Sequence, residues 1–368
     1  MEKNKITLIC LATLAAILII YGTLVFTPKT DTIRIGGILP LTGFGAFEGG
    51  QFINGMQLAI NEINEKGGIN GKELELVIED SQSNPQEAVN AFNNLINLKD
   101  LNVIVSIYSA ISMSLAPKAT EQKIPLVASV ATVPNLTNNN WAFRYYPIAN
   151  QEIPPIIEIA ENHNIETIAI LYLNDDFGLS MYNKLKEEFN GEVFGESFLA
   201  SATDFKTELF KIKENNPDAI LVVGFTNHIL TAIKQIEELN INTMIFSAST
   251  ISTPTARKGL EASNKEVYAG TPKIYGENIE EKITVFKEKF ESEFNKEIDH
   301  YAVSGYDTVY LIAQAIEKSG ESKEKIKNGL LQIESFNGLF GETEIKGREF
   351  NPPLYPAKIS GTEIVYLN

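Results

Sequence analysis

Two short loops carry the residues best suited to gripping a small molecule. Tyr108-Ser109-Ala110-Ile111-Ser112 follows the apolar run ending at Ile107, and Ala128-Ser129-Val130-Ala131-Thr132-Val133-Pro134 follows the one ending at Val127. Both are rich in hydroxyls. The first also opens a helical stretch, whose leading amides have no intrahelical partner and suit an anion such as a carboxylate. The local sequence is equally satisfied if Ser109 or Ser112 merely caps that helix, and the second loop has the same alternative.

Little else is arranged for chemistry. His163, His228 and His300 are scattered, with none spaced as a metal pair. Asp175 and Asp176 are adjacent, so on an extended loop they point apart and read as solvated acids or a helix cap, not a general acid/base pair. Gly43, Gly45 and Gly49 give G-x-G-x-x-x-G where a dinucleotide fingerprint needs G-x-G-x-x-G, and Glu79 and Asp80 come too late to hold a ribose. Cys10 is the only cysteine, which excludes an intrachain disulfide and a thiolate metal cluster. Neither a metal nor a cofactor is expected, and an enzyme is the least supported class.

The elements that must position the two loops alternate strand and helix. Ile33 to Leu39 reads as a strand, and Phe52, Met56, Ala59, Ile60 and Ile63 form one face of a helix stopped by Gly67 and Gly68. Leu74, Leu76 and Ile78 alternate with glutamates as in a half-exposed strand, and Asn84-Pro85 with Glu87 starts a helix. Strands at 103–107 and 126–129 flank a helix near 112–122. The alternation implies a parallel sheet with helices on both faces. It restarts with strands at 167–173, 192–197, 219–223 and 244–246, interleaved with helices near 179–189, 205–214 and 228–239. Three late helices, at 280–294, 301–318 and 323–332, have no strands of their own and should return to cover the first lobe. In such sheets ligands sit beyond the carboxyl ends of the strands, where both hydroxyl loops lie.

With 368 residues, 44% of them hydrophobic, the chain has material for two cores. Its net charge of −16 argues against a nucleic-acid partner. Ile6 to Phe26 carries no charge and would span about 30 Å as a helix, enough to cross a bilayer. Lys3 and Lys5 before it place the remainder outside the cytoplasm. Its length, and Thr-Leu-Val-Phe where small residues should precede a cut, favour a single-pass anchor in the cell membrane; a cleaved signal peptide, leaving a secreted or periplasmic protein, is the alternative.

The order of features resembles the leucine/isoleucine/valine-binding family of periplasmic proteins. The likeness rests on Ile35 to Gly43, on Gly55 to Asn64 with Gly67 to Gly71, and on Asp80 to Ala88. It continues through Ile124-Pro125 leading to Ala131-Thr132, Asp175-Asp176-Phe177-Gly178 and Gly305-Tyr306-Asp307. The resemblance implies two doubly wound parallel-sheet α/β lobes joined by a three-crossover hinge, the type I periplasmic-binding fold, here preceded by one N-terminal transmembrane helix. Residues 1–31 would be the membrane segment, 32–146 with 273–335 the first lobe, and 147–272 with 336–368 the second. It further implies a monomeric receptor that hands an amino acid or small carboxylate to a separate permease driven by a cytoplasmic ATPase.

By the same resemblance, Ser109 grips the carboxylate with Ser112 as a helix-start donor. Tyr108 belongs to the same loop, Thr132 holds the amino and carboxylate groups, and Val130 supplies a carbonyl. Phe177 and Phe225 cover the ligand from the second lobe. Two positions depart from the pattern. Glu48, beside Phe47, stands where a first-lobe aromatic is expected, and Ser249 stands where an acid would pair with the ligand's ammonium. Either the ligand is an apolar carboxylate without an ammonium, or Glu48 or the Asp175-Asp176 pair supplies the charge, with Glu48 preferred. A sensory ectodomain serving a membrane kinase or chemoreceptor is the competing function.

Overall fold

The computed structural model describes residues 32–98, 100–276 and 279–367. The segment Ile6–Phe26, with Cys10, lies outside the described residues. Among the described residues, no helix is long and apolar enough to cross a membrane.

The first lobe runs β1 (Ile33–Leu39), α1 (Ala46–Glu65), β2 (Leu74–Asp80), α2 (Pro85–Leu98), β3 (Val103–Ile107), α3 (Ser109–Glu121), β4 (Leu126–Ser129) and β5 (Ala142–Tyr145). β3 and β4 are apolar apart from Ser106 and Ser129 and buried along their whole length, as strands covered on both faces must be. β2 is half-buried, in keeping with its alternating glutamates and its place at the sheet edge.

The second lobe repeats the scheme with α4 (Ala149–Asn162), β6 (Thr167–Leu173), α5 (Asp176–Glu188), β7 (Glu192–Phe198), α6 (Lys206–Glu214), β8 (Ala219–Val223), α7 (Thr226–Glu238), β9 (Met244–Ser247), α8 (Pro254–Leu260) and β10 (Val267–Thr271). The chain then returns through α9 (Glu281–Phe294), α10 (His300–Ser319) and α11 (Lys323–Leu331). As the late helical pattern predicts, α10 lies against α1. A Cβ on Gly55 would run into the Ala302 carbonyl oxygen, and one on Gly305 into that of Phe52, so glycine at both positions lets the two backbones approach.

A short ribbon, β11 (Asn337–Gly338) with β12 (Gly341–Glu342), precedes β13 (Glu344–Lys346), β14 (Glu349–Asn351), β15 (Tyr355–Ser360) and β16 (Glu363–Tyr366). The sheets are ordered β13-β14-β5-β4-β3-β1-β2 and β16-β15-β10-β9-β8-β6-β7. Chain order reverses between β1 and β3 in the first and between β6 and β8 in the second, so each lobe has a switch point where strand-end loops diverge.

The tail corrects the expected lobe boundary. Residues 336–368 are not all second-lobe: β14 pairs parallel with β5, and only β15 and β16 join the second sheet. Side chains buried in the first lobe explain the difference. The Asp307 carboxylate accepts hydrogen bonds from the Leu339 amide (2.8 Å) and the Tyr145 hydroxyl (2.6 Å), and buried Arg144 pairs with Glu349 at 2.7 Å. These contacts hold 336–351 on the first lobe until Pro352-Pro353, where the chain crosses. With the crossings after β5 and after β10, three segments join the lobes.

Candidate functional site

The loops at the carboxyl ends of the strands face one another across a narrow cleft. Tyr108 and Ser109 come from the end of β3, Val130 and Thr132 from β4, and Tyr146 from the crossing after β5. The second lobe contributes Glu152 on α4, Asp175 and Phe177 after β6, Phe225 after β8, and Ser249 and Thr250 after β9. His300 and Tyr301 open α10.

The first-lobe wall is knitted by hydroxyls. Ser109 Oγ accepts the Thr132 amide at 3.1 Å and lies 3.5 Å from Thr132 Oγ1. Ser109 is the first residue of α3, and Tyr108 before it has no side-chain bond to the helix amides, so the amides face the cleft end without a protein cap. Tyr108 and Val130 both adopt positive φ, 70° and 47°. For a β-branched residue such as Val130 this costs about 1–3 kcal/mol, strain of the kind that collects at binding sites.

Aromatic side chains close the cleft. The Phe225 ring of the second lobe lies 4.7 Å from Phe44 and 5.2 Å from Tyr108, both of the first lobe. The lobes are therefore in contact across the mouth.

Carboxyl groups set the electrostatics. Glu152 is 2% exposed, and burial pushes its carboxyl up to about 7. It accepts the Ser249 amide at 3.3 Å, and Ser249 Oγ lies 3.1 Å from the Tyr146 hydroxyl. Asp175, raised by burial to about 6, accepts the Gly178 amide at 2.9 Å and caps α5, which matches the cap alternative for this pair. Burial drives His300 down to about 3, so the ring is neutral. None of the residues described along the lining is lysine or arginine.

Eight residues singled out in the sequence line this cleft: Tyr108, Ser109, Val130, Thr132, Asp175, Phe177, Phe225 and Ser249. Three do not. Ser112 turns inward, with Oγ 2.8 Å from Ser106 Oγ on β3. Phe47 is 47% exposed. Glu48 is buried against the Thr226 side chain of the other lobe, with its carboxyl raised by burial, and so does not reach the lining. Sequence reasoning overlooked Tyr146, Glu152, Thr250 and Tyr301, and gave His300 no role beyond noting that it is not spaced as part of a metal pair. A signal for Glu152 existed: Glu152, Ile156 and Ile159 share helical spacing with Ile153 and Ala160 beside them, placing a carboxylate on a buried stripe.

Two α/β lobes, three crossings and a lined cleft between facing strand ends define a solute-binding protein with the type I periplasmic-binding fold. The family described as periplasmic binding protein matches residues 32–362, and the chain belongs to it. Its members bind solutes and are not enzymes. A leucine-, isoleucine-, valine-, threonine- and alanine-binding protein of Pseudomonas aeruginosa is 24% identical over 329 residues, 87% of each chain. Among solved structures, the branched-chain amino acid transporter substrate binding protein LivJ of Streptococcus pneumoniae, in complex with isoleucine, superposes with a TM-score of 0.81 at 24% identity, covering 92% of this chain and all of that one. A solute binding protein of an ABC transporter from Rhodopseudomonas palustris, in complex with 3,4-dihydroxybenzoic acid, also gives 0.81, at 21% identity over 92% of this chain and 96% of that one.

Proposed function

We propose that this protein is the extracytoplasmic receptor of an ABC-type importer and that it closes on a small apolar α-amino acid. The observation that carries the reading is the division of the lining. One wall offers Ser109, Thr132 and uncapped helix amides to a carboxylate, the opposite wall holds an acid, and Phe177 and Phe225 with Tyr108 make the space between them apolar. The Val130 carbonyl adds an acceptor beside Thr132. A permease and a cytoplasmic ATPase are the partners this function requires. Family membership implies an extracytoplasmic location, and the uncharged run Ile6–Phe26 supports attachment to the membrane.

A second reading, an apolar carboxylate without an ammonium, is favoured by Ser249, a hydroxyl where an acid would be expected. The relative bound to 3,4-dihydroxybenzoic acid shows that the fold accommodates such ligands. A thermal-shift screen of amino acids and simple organic acids separates the two, since a ligand at 100 times its dissociation constant adds about 2.7 kcal/mol of stability. Leucine, isoleucine or valine should raise the melting temperature. A panel in which only acids lacking an amino group do so defeats the amino-acid reading.

A further inference from the structure

Most buried acids near the cleft already have work within the protein. Asp175 caps α5 through Gly178, Asp299 caps α10 through Ala302 at 2.8 Å, and Glu48 is drawn to Thr226. Glu152 is different. It lines the cleft, it is nine-tenths buried and more, and its neighbours are hydroxyls and an amide: Ser249, and through Ser249 the Tyr146 hydroxyl. No cationic side chain stands along the described lining to balance it. A carboxylate in such a place is costly unless a positive charge joins it.

We infer that Glu152, set on α4 beside Ser249, is the residue that pairs with the ligand's ammonium group and thereby selects amino acids over simple carboxylates. The inference rests on the amino-acid reading of the cleft and deepens it. Ser249 makes the arrangement possible. Its short side chain leaves room on the β9 loop, and its amide and hydroxyl orient the glutamate arriving from the neighbouring helix. The ligand's two charged ends then meet opposite lobes, the carboxylate at Ser109 and Thr132 on the first and the ammonium at Glu152 on the second. Only the closed form supplies both contacts, so a zwitterion bridges the lobes where a bare carboxylate holds one of them.

The test is calorimetry of the purified protein and of Glu152→Gln with leucine and with 4-methylpentanoate, its analogue lacking the amino group. Glu152→Gln should weaken leucine by ~30-fold or more, because a buried ammonium is stranded, and should leave 4-methylpentanoate unchanged or tighter. A melting temperature for the ligand-free variant at or above that of the parent verifies folding. If the parent binds leucine and Glu152→Gln binds it within about threefold, the role of Glu152 is overturned while the amino-acid reading stands. If the parent binds 4-methylpentanoate but neither leucine, isoleucine nor valine, the amino-acid reading itself falls, and this inference with it.

Discussion

Glu48, in the first turn of α1, is buried against the side chain of Thr226, the first residue of α7 in the opposite lobe. A carboxylate of one lobe thus meets the positive end of a helix in the other, a contact that exists only when the lobes are together. Glu48 Oε2 is buried with no hydrogen-bond partner.

Glu48→Ala should therefore loosen closure without altering which ligand is chosen. A polar contact between the lobes at a helix N-terminus is worth ~1 kcal/mol, which predicts about a fivefold loss of affinity, equal for leucine and 4-methylpentanoate. Small-angle scattering of the ligand-free variant should give a larger radius of gyration than the parent. A loss confined to leucine would instead place Glu48 at the ammonium.

Ser109→Ala removes the acceptor that ties the Thr132 amide to α3, together with a hydroxyl at the cleft wall. We expect binding to weaken by about 1.5–3 kcal/mol, the range for a hydrogen bond to a charged group. Ser129→Ala should cost less affinity, because Ser129 Oγ is already given to the Tyr145 carbonyl at 3.1 Å. Calorimetry on the two variants ranks them, and the reverse order would remove Ser109 from the site.

Affinity for an amino acid should depend on pH through Glu152. With its carboxyl at about 7 in the empty cleft, Glu152 must lose a proton before it can pair with an ammonium. Leucine affinity should rise roughly tenfold per pH unit up to about pH 7 and level off above it. The groups around it are Tyr146, Ser249, Asp175 and His300, with Asp299 acting on Tyr146 electrostatically. His300 stays neutral across this range, whereas Asp175 and Asp299 also titrate within it. Glu152→Gln is the control: a slope that persists in the variant assigns the titration elsewhere.

Stability of the ligand-free protein should run the other way. Burial holds Glu152 and Asp299 at about 7, and Asp175 and Asp307 at about 6, all above their unfolded values. Between about pH 4 and 7 the folded form keeps protons that the unfolded form has released, so stability falls as pH rises. Thermal melts should show a higher midpoint at pH 5.5 than at pH 8. His300, held at about 3, acts in the opposite sense over this window, but one imidazole is outweighed by four carboxyls, so an increase from pH 5.5 to 8 would mean that the carboxyls do not hold their protons when folded.

Much of this architecture was legible because strands such as β3, β4 and β8 are short apolar runs, punctuated by turns and buried throughout. The first-lobe wall was legible for the same reason, since Ser109 and Thr132 follow such runs directly. α4 was not. Pro154 and Pro155 sit inside it and mask its periodicity, and Glu152 was lost with it. The destination of the tail was equally hidden. β13 and β14 are three residues each, too short for a pattern, and their sheet is chosen by Asp307 and Arg144, which lie far away in sequence. Glu48 looked like a cleft residue because its loop borders the cleft, but only the opposite lobe shows that Thr226 claims it.

The direction of β1 has a mechanical consequence. Its seven residues run toward the cleft, so Ile33 lies about 20 Å behind the mouth, at the back of the first lobe. A pull exerted through the residues before Thr32 is thus borne by one lobe alone. Force applied at Ile33 would reach the second lobe only through the three connecting segments, and the Phe44–Phe225 contact lies at the far end of the first lobe from it.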